Sequence, residues 1–325
     1  MLGLALPRRR DRPADLPAAA GGVRSAGGPA LAFHRADTPR GGAAVGEAIL
    51  DAIAAVVTAV DDELVASGGA PAAAVGVGAA GLVDHDGVLR FAPNLPGVVD
   101  LDVADGLGRR LGRPIVVDND ANCAAWAEHE LGAAAGAATS VLVTLGTGIG
   151  GGLVVDGVVQ RGAFGFAGEP GHMLVDPHGP PCPCGRRGCW ERFASGSGLG
   201  RLARDAAAAG RADAIVERAG GDAEAVRGEH VTDAARDGDE EAQQVLAEFA
   251  WWVAVGVANL VDLLDPEVVV VGGGLVEAGD LLLGPVREAY AGLVLAHDHR
   301  PAARIVGAAL GADAGAVGAA LLAGA

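Results

Sequence analysis

The chain has 325 residues, a formal net charge of −17 and a hydrophobic fraction of 50%. This length can bury a large core and favours two lobes, and so apolar a composition excludes a disordered chain. The negative charge argues against nucleic-acid binding, which needs clustered basic groups. Because the sequence contains no lysine, the lysine-dependent phosphate loop of Walker-type nucleotidases is excluded. We find no signal peptide and no apolar run near the ~18 residues of a membrane span, and we expect a cytoplasmic protein.

Apolar spacing and turn residues predict alternating strands and helices. In chain order, these are a short strand at 2–6, an edge strand at 29–35, a helix from 45 to about 68, a strand at 73–79, a turn at 84–87 before a strand at 88–91, a helix at 103–111, a strand at 114–117, a helix at 121–131, strands at 141–145, 153–155 and 158–160, helices across 195–244, a long helix ending near 265, a strand at 268–271, a helix after 274 and a C-terminal helix at 312–322. Residues 1–28 are otherwise expected to be irregular. The alternation predicts α/β lobes with a cleft between them.

Asp118, Asn119 and Asp120 stand where a predicted strand gives way to a helix. Ligands of open α/β folds bind at this end of the strands, so the Asp120 carboxylate is placed to orient a hydroxyl group and accept its proton. The alternative is helix capping, for which Asp and Asn are both favoured. Taken alone, this motif favours capping.

Two glycine runs follow predicted strands. In the run from Gly146 to Gly152, bare backbone N–H groups and the Thr147 hydroxyl can contact phosphate. The alternative is a tight turn in a chain that has 53 glycines. The second run, Gly272-Gly273-Gly274, resembles half of a dinucleotide fingerprint but lacks the remaining spacing, so it either contacts a nucleotide or simply ends the strand.

A cysteine cluster is the strongest chemical signal in the sequence. It comprises Cys182, Cys184 and Cys189, and His172 can supply a fourth ligand. Three cysteines and one histidine form a closed zinc shell, which indicates structural rather than catalytic zinc; free thiols or another thiophilic metal are the alternatives. Bound metal would stiffen the segment that carries Glu169 and Glu191, although these two residues can equally be surface charges.

Several of these segments occur together in one order and spacing. They are Ala79-Ala80-Gly81-Leu82-Val83-Asp84, Pro93-Asn94-Leu95-Pro96-Gly97, Asp118-Asn119-Asp120-Ala121-Asn122, 144–152, Ala167-Gly168-Glu169-Pro170-Gly171-His172, the cysteine cluster through Glu191, 265–274 and 310–316. From about Ala36 to the C-terminus the chain thereby resembles the ROK family of sugar kinases and repressors, most closely its bacterial glucokinase branch.

The resemblance implies an actin-like, hexokinase-type fold with two ribonuclease H-like lobes and a zinc knuckle. The small lobe would comprise residues 1–118 and 305–325, and the large lobe residues 119–304. The implied reaction transfers the γ-phosphoryl group of ATP to the 6-hydroxyl of a hexose, above all glucose. The implied cofactors are ATP, Mg²⁺ and structural Zn²⁺, and the implied assembly is a homodimer or higher homo-oligomer.

The resemblance also assigns roles to individual residues. Asp120 would be the catalytic base. The implied sugar contacts are Asn94, Asn119, Asp120, Glu169, His172 and Glu191. The implied nucleotide contacts are Gly146, Thr147 and Gly148 at the phosphates and Gly272 and Gly273 near adenosine, and the zinc ligands are His172, Cys182, Cys184 and Cys189.

The sequence departs from the family at its start. The family opens with a strand and an Asp-x-Gly-Gly-Thr loop that grips phosphate and helps to hold magnesium, and residues 1–28 do not contain it. This leaves a sugar-binding protein with impaired catalysis as one alternative. A sugar-responsive repressor is another, but the ~35 residues before the match are too few for a helix-turn-helix module and the charge is unsuited to DNA.

Overall fold

The computed structural model describes residue 32, residues 34–42 and residues 44–324. The strand predicted at 2–6 and the irregular segment predicted over 1–28 lie outside these residues. Of the edge strand predicted at 29–35, residues 32, 34 and 35 are described, and none of the three is in a strand.

Helices and strands alternate along the described chain as predicted. In order they are α1 (Val45–Ala66), β1 (Val75–Ala79), β2 (Leu82–Val83), β3 (Val88–Phe91), β4 (Val99–Asp102), α2 (Val103–Leu111), β5 (Ile115–Asn119), α3 (Asp120–Leu131), β6 (Ser140–Leu145), β7 (Ile149–Val155), β8 (Val158–Val159), α4 (Glu191–Ala194), α5 (Gly196–Ala208), α6 (Asp213–Arg218), α7 (Gly228–Arg236), α8 (Glu240–Leu264), β9 (Val268–Gly272), α9 (Asp280–Leu293), β10 (Arg304–Gly307) and α10 (Ala314–Ala323). The elements predicted from residue 45 onward are present, and the structure adds β2, β4, α4 and β10.

The larger sheet has five strands in the order β10-β9-β6-β7-β8. The strands β6, β9 and β10 are parallel, whereas β7 and β8 are antiparallel to their neighbours. The valines of β9 alternate between two cores: Val269 and Val271 face the helices α5 to α9, and Val268 and Val270 face α3 and α10. Helices therefore cover both faces of the sheet, which explains the unbroken apolar run.

The helix α8 is, among the described residues, the one long and apolar enough to cross a membrane by length and composition. In its most apolar stretch, 61% of the residues are buried inside the protein. Phe249, Val253 and Val257 are fully buried in the main core. We therefore describe α8 as a core helix.

The remaining strands form two smaller groups. The strands β1 and β5 are a parallel pair, and β2, β3 and β4 form an antiparallel meander. Helices α1 and α2 bury their apolar faces with these strands in one cluster, and α2 begins where Asp102 accepts a hydrogen bond from the Asp105 N–H at 2.9 Å. The parallel register pairs Ala79 with Asn119, so the carboxyl ends of β1 and β5 meet at one edge.

The hairpin between β6 and β7 is tighter than predicted, because β7 begins at Ile149 and includes three glycines that we assigned to the loop. A Cβ on Gly152 would lie 2.5 Å from the Cβ of Ala125 on α3, and a Cβ on Gly151 would lie 2.4 Å from the Pro170 ring. These glycines allow neighbouring segments to pack closely on β7. The hairpin loop is therefore only residues 146–148.

Glu128, in the last turns of α3, is a buried carboxylate with 1% of its surface exposed. Its oxygens accept hydrogen bonds from the backbone N–H groups of Ala133 at 2.8 Å, Ala309 at 3.1 Å and Leu310 at 2.8 Å. These bonds satisfy the buried charge and connect the end of α3 to the segment between β10 and α10.

The predicted small lobe combines residues 1–118 with residues 305–325. In the structure, β10 belongs to the larger sheet, and α10 packs against both α3 and β1. The C-terminal segment thus contacts elements that we assigned to both lobes, and the division itself stays a prediction.

Candidate active site

Asp120 is the first residue of α3, directly after β5. The helix is capped by Asn119, whose side-chain oxygen accepts hydrogen bonds from the N–H groups of Ala121 at 2.8 Å and Asn122 at 3.1 Å. Asn119 thus performs the capping that we considered for Asp120. One oxygen of Asp120 also accepts from the Ala121 N–H at 2.9 Å.

The surroundings of the Asp120 carboxyl group raise its pKa. Its residue is exposed to solvent, yet enough protein surrounds the carboxyl group that burial raises the pKa of Asp120. The backbone hydrogen bond from Ala121 opposes this increase. An accessible acid with a raised pKa is a better proton acceptor than one on an open surface.

A buried ion pair fixes the strand end that carries Asp120. Asp118 is 4% exposed, and one of its oxygens accepts a hydrogen bond from Nε of Arg161 at 2.7 Å. Its other oxygen accepts from Nδ2 of Asn122 at 3.0 Å. The side-chain amide of Asn119 also donates to the Gly81 carbonyl at 3.0 Å. Together these contacts tie the end of β5 to β1 and to the loop after β8.

Glu169 lies close enough to Asp120 and Glu191 for their negative charges to act on its carboxyl group. Burial raises the pKa of Glu169, His172 opposes the increase, and the negative charges of Asp120 and Glu191 add to it. Glu169 precedes a single 3₁₀ turn, in which Gly171 packs so closely on β7 that a Cβ would lie 2.3 Å from the Ile149 carbonyl oxygen. The structure therefore places Glu169 near two other predicted sugar contacts, Asp120 and Glu191.

The four predicted zinc ligands are also together. One donor atom from each of His172, Cys182, Cys184 and Cys189 lies within 4.8 Å of the others. The Cys184 and Cys189 sulfurs are 3.6 Å apart, and Cys182 Sγ is 3.9 Å from His172 Nδ1. Tetrahedral zinc with Zn–S bonds of about 2.3 Å holds two sulfurs about 3.8 Å apart, so this donor set fits zinc.

The backbone conformation of the cysteine loop brings the predicted zinc ligands together. The Cys182 N–H donates to the Arg186 carbonyl at 2.8 Å, and Gly188 has a φ of 66°, which only glycine adopts freely. Although burial opposes it, hydrogen bonds from the backbone and side chain of Arg186 and from the neighbouring thiols lower the pKa of Cys184 to about 6. Burial raises the pKa of Cys182 and Cys189, so Cys184 is the cysteine of the cluster that most readily forms the thiolate that binds metal.

Glu191 follows the cysteine cluster directly. Its Oε1 lies 3.1 Å from Cys182 Sγ and 3.9 Å from His172 Nδ1. The preceding residue, Trp190, is fully buried, and its ring N–H donates to the Trp252 carbonyl of α8 at 2.7 Å. Trp190 thus anchors Glu191 and the last zinc ligand to the main core.

The loop of the β6–β7 hairpin lies against the start of α5. The Gly196 N–H donates to the Gly146 carbonyl at 2.7 Å, and the Ser197 hydroxyl donates to the Thr147 carbonyl at 2.8 Å. The loop is closed by a hydrogen bond from the Gly146 N–H to the Gly148 carbonyl at 3.0 Å. The predicted phosphate-binding residues are therefore fixed to the segment that carries Glu191.

The second glycine run lies at the same end of the sheet. The parallel register of β6 and β9 pairs Thr144 with Gly272. Gly273 has a φ of 85°, and a Cβ there would lie 2.4 Å from the Leu145 carbonyl oxygen, which directly precedes the hairpin loop. The two runs predicted to contact the nucleotide are therefore neighbours.

Comparison with known proteins identifies the family. The sequence profile of the ROK family matches residues 19–325. The chain belongs to the ROK family. It is 40% identical over 309 residues to the glucokinase of Streptomyces coelicolor, covering 94% of this chain and 93% of that protein.

Solved ROK structures have the same fold. A ROK family glucokinase from Streptomyces griseus, in complex with glucose and AMPPNP, is 40% identical with a TM-score of 0.78, over 90% of this chain and 92% of that chain. A ROK hexokinase from Thermus thermophilus is 36% identical with a TM-score of 0.74, over 90% of each chain. The predicted actin-like sugar-kinase fold is confirmed, and the cysteine–histidine cluster fits the predicted zinc knuckle.

Asn94 was predicted from the sequence as a sugar contact of this ROK site, but two residues that support the site were not predicted. Asn94 is exposed on the turn after β3, and its part in sugar binding stays a prediction. Arg161 and Ser197 received no role, although they hold Asp118 and Thr147 in place. Each lies more than 40 residues from its partner, and no local pattern links such pairs.

Proposed function

We propose that this ROK protein is an ATP-dependent hexokinase that phosphorylates the 6-hydroxyl of glucose. The observation that carries the proposal is the proximity of Glu169 to Asp120 and Glu191, with Glu191 next to the hairpin loop 146–148. The relatives that match over most of the chain include glucokinases at 40% identity and N-acetylmannosamine kinases at 34–35% identity, and a glucokinase that is also 40% identical was solved with glucose and a nucleotide analogue.

In this reaction Asp120 acts as the base. The oxygen of the 6-hydroxyl forms a bond to the γ-phosphorus of ATP as the bond to the ADP oxygen breaks, and the hydroxyl proton passes to the Asp120 carboxylate. Burial favours this transfer because it raises the pKa of Asp120. Glu169, His172 and Glu191 would accept or donate hydrogen bonds to other sugar hydroxyls, together with Asn94 and Asn119.

The hairpin loop forms the part of the site that would bind the phosphate donor, ATP. Gly146, Thr147 and Gly148 would face the phosphates, with the N–H groups of Thr147 and Gly148 as donors because the Gly146 N–H already donates to the Gly148 carbonyl. Gly272 and Gly273 would lie near the adenosine. Phosphoryl transfer depends mainly on positioning and on stabilisation of phosphate charge, which suits a backbone held at fixed distances. Mg²⁺ would enter as part of the Mg-ATP substrate.

Zinc would have a structural role. With His172, Cys182, Cys184 and Cys189 as ligands, the coordination shell is closed, and the metal supplies rigidity rather than Lewis-acid chemistry. It would hold His172 and the start of α4, and thereby Glu191, at the sugar.

The decisive experiment compares the wild-type chain with Asp120→Asn and with the control Asp156→Asn. Asp156 is exposed on the β7–β8 turn with a φ of 50°, which Asn tolerates, so the control makes the same change in charge away from the site. We expect Asp120→Asn to lose turnover of glucose with Mg-ATP and to keep glucose binding in calorimetry. Unchanged turnover in Asp120→Asn would refute the assignment.

The same assay tests the phosphate donor and the alternative function. Polyphosphate replaces Mg-ATP in a parallel series, since the sequence does not distinguish the two donors. A wild-type chain that binds glucose but uses neither donor would support the alternative of a catalytically impaired sugar-binding protein. A cytoplasmic location and a homodimer or higher homo-oligomer remain part of the proposal, and light scattering tests the assembly.

A further inference from the structure

We infer that the missing side chain of Gly148 serves the sugar pocket, because it leaves the space that the Glu191 carboxylate occupies. A Cβ on Gly148 would lie 2.8 Å from Glu191 Oε2 and 3.9 Å from its carboxyl carbon. The backbone of Gly148 is outside the left-handed region, so its conformation admits other residues. The proximity of Glu191, rather than the backbone conformation, therefore limits the size of the side chain at position 148.

The distance between Gly148 and Glu191 is fixed from both sides. The hydrogen bonds from Gly196 and Ser197 hold the hairpin loop to the start of α5. The Ser195 hydroxyl donates to the Glu191 carbonyl at 2.6 Å, which ties the same segment to α4. These hydrogen bonds keep the backbone of Gly148 and that of Glu191 from moving apart. A methyl group added at position 148 must therefore displace the Glu191 carboxylate.

Displacement of Glu191 should have little effect on the stability of the fold and a large effect on sugar binding. The clashing atom is the end of a flexible side chain, so another rotamer relieves the contact. The side chain is only 16% exposed and lies between Cys182, His172 and the hairpin loop. A carboxylate displaced from this position can no longer form a hydrogen bond to a bound sugar. Gly148 is thus a positioning residue that acts through Glu191.

The same hairpin loop offers a matched control. A Cβ on Gly146 would meet nothing closer than the Gly148 carbonyl oxygen at 3.9 Å, and its backbone is also outside the left-handed region. Gly146→Ala therefore makes the same chemical change two residues away without touching Glu191. Both variants are expected to keep the melting temperature and the zinc content of the wild type.

The inference rests on the proposed function, since Glu191 is a sugar contact only in that proposal. The experiment measures D-glucose binding by calorimetry in the absence of nucleotide, and then the KM for glucose and for Mg-ATP. We expect Gly148→Ala to weaken glucose binding by about 10- to 100-fold, the range for loss of one hydrogen bond to a charged group. We expect Gly146→Ala to bind glucose as the wild type does in the nucleotide-free measurement. Because Gly146 is a proposed phosphate contact, it is a control for glucose binding alone and not for turnover or for the KM of Mg-ATP.

A double-mutant cycle shows whether Gly148 acts through Glu191. If it does, Gly148→Ala combined with Glu191→Ala, which removes the clashing carboxylate, should bind glucose no more weakly than Glu191→Ala alone. Wild-type affinity in Gly148→Ala, or losses that add in the double variant, would overturn the inference. A wild-type chain that binds glucose without turnover refutes the proposed reaction and leaves this comparison intact, whereas a chain that binds no glucose refutes both.

Discussion

A single methyl group on Gly256 should destabilise this protein, although glycine is normally the weaker residue inside a helix. Gly256 lies within α8, where Ala would gain about 1 kcal/mol from helix propensity. A Cβ there would lie 1.9 to 2.3 Å from three ring atoms of Trp190. Carbon atoms in contact are normally about 3.5 to 4.0 Å apart, so the indole would have to move by about 1.5 Å.

The indole has no free space into which to move. Trp190 is fully buried, and its ring N–H holds the Trp252 carbonyl at 2.7 Å. Overpacking of this kind costs about 1 to 3 kcal/mol, and the hydrogen bond is worth about 1 kcal/mol more. After the gain in propensity, we expect Gly256→Ala to lower the free energy of unfolding by about 1 to 3 kcal/mol.

Urea unfolding of the zinc-loaded chain, followed by circular dichroism, measures this loss. Gly108→Ala is the matched control, because Gly108 lies inside α2 and a Cβ there would meet nothing within 4 Å. The control should raise the free energy of unfolding by about 0.5 to 1 kcal/mol. If both substitutions stabilise the chain, the close approach of α8 to Trp190 is wrong. Since Trp190 precedes Glu191, Gly256→Ala should also weaken glucose binding.

Two further predictions concern the carboxylate and the metal. Burial raises the pKa of Asp120 in the folded chain, so folding favours the protonated carboxyl group over the carboxylate. The contribution of Asp120 to stability is therefore fully present below its ordinary pKa of about 3.9 and is lost as the pH rises through the raised pKa. The unfolding midpoint of Asp120→Asn should therefore rise relative to the wild type as the pH increases from 4 to neutral, and a constant difference would contradict this. Metal analysis should find about one zinc per chain, reduced in Cys184→Ser and retained in Cys123→Ala, since Cys123 lies on α3 outside the cluster. Full metal content and an unchanged melting temperature in Cys184→Ser would exclude that ligand.

Patterns within short stretches predicted most of the fold. The β9 valines, the α8 periodicity and the strand–helix junction at Asp120 are all local, and the structure confirms each element. The strand β4 was not predicted because its residues are largely exposed and alternate with two aspartates. The start of β7 was misplaced because glycines have low strand propensity, and their pairing is explained only by the close packing of α3 and Pro170.

The features of the site that were not predicted depend on contacts between residues that are distant in the sequence. The cysteine cluster was recognisable because its ligands are close in sequence. The Arg161–Asp118 ion pair and the Ser197–Thr147 hydrogen bond connect residues that no periodicity relates. The proximity of Gly148 to Glu191 also depends on three-dimensional packing, although both residues belonged to recognised motifs.

The helix α3 has a defined attachment at each end. Its first residue is Asp120, and near its last turn Glu128 is hydrogen-bonded to the segment just before α10. Twelve helical residues span about 18 Å, so α3 is a short rigid rod. A rotation of the segment between β10 and α10 would therefore be transmitted through α3 to the Asp120 carboxylate, with no chain of side-chain rearrangements in between.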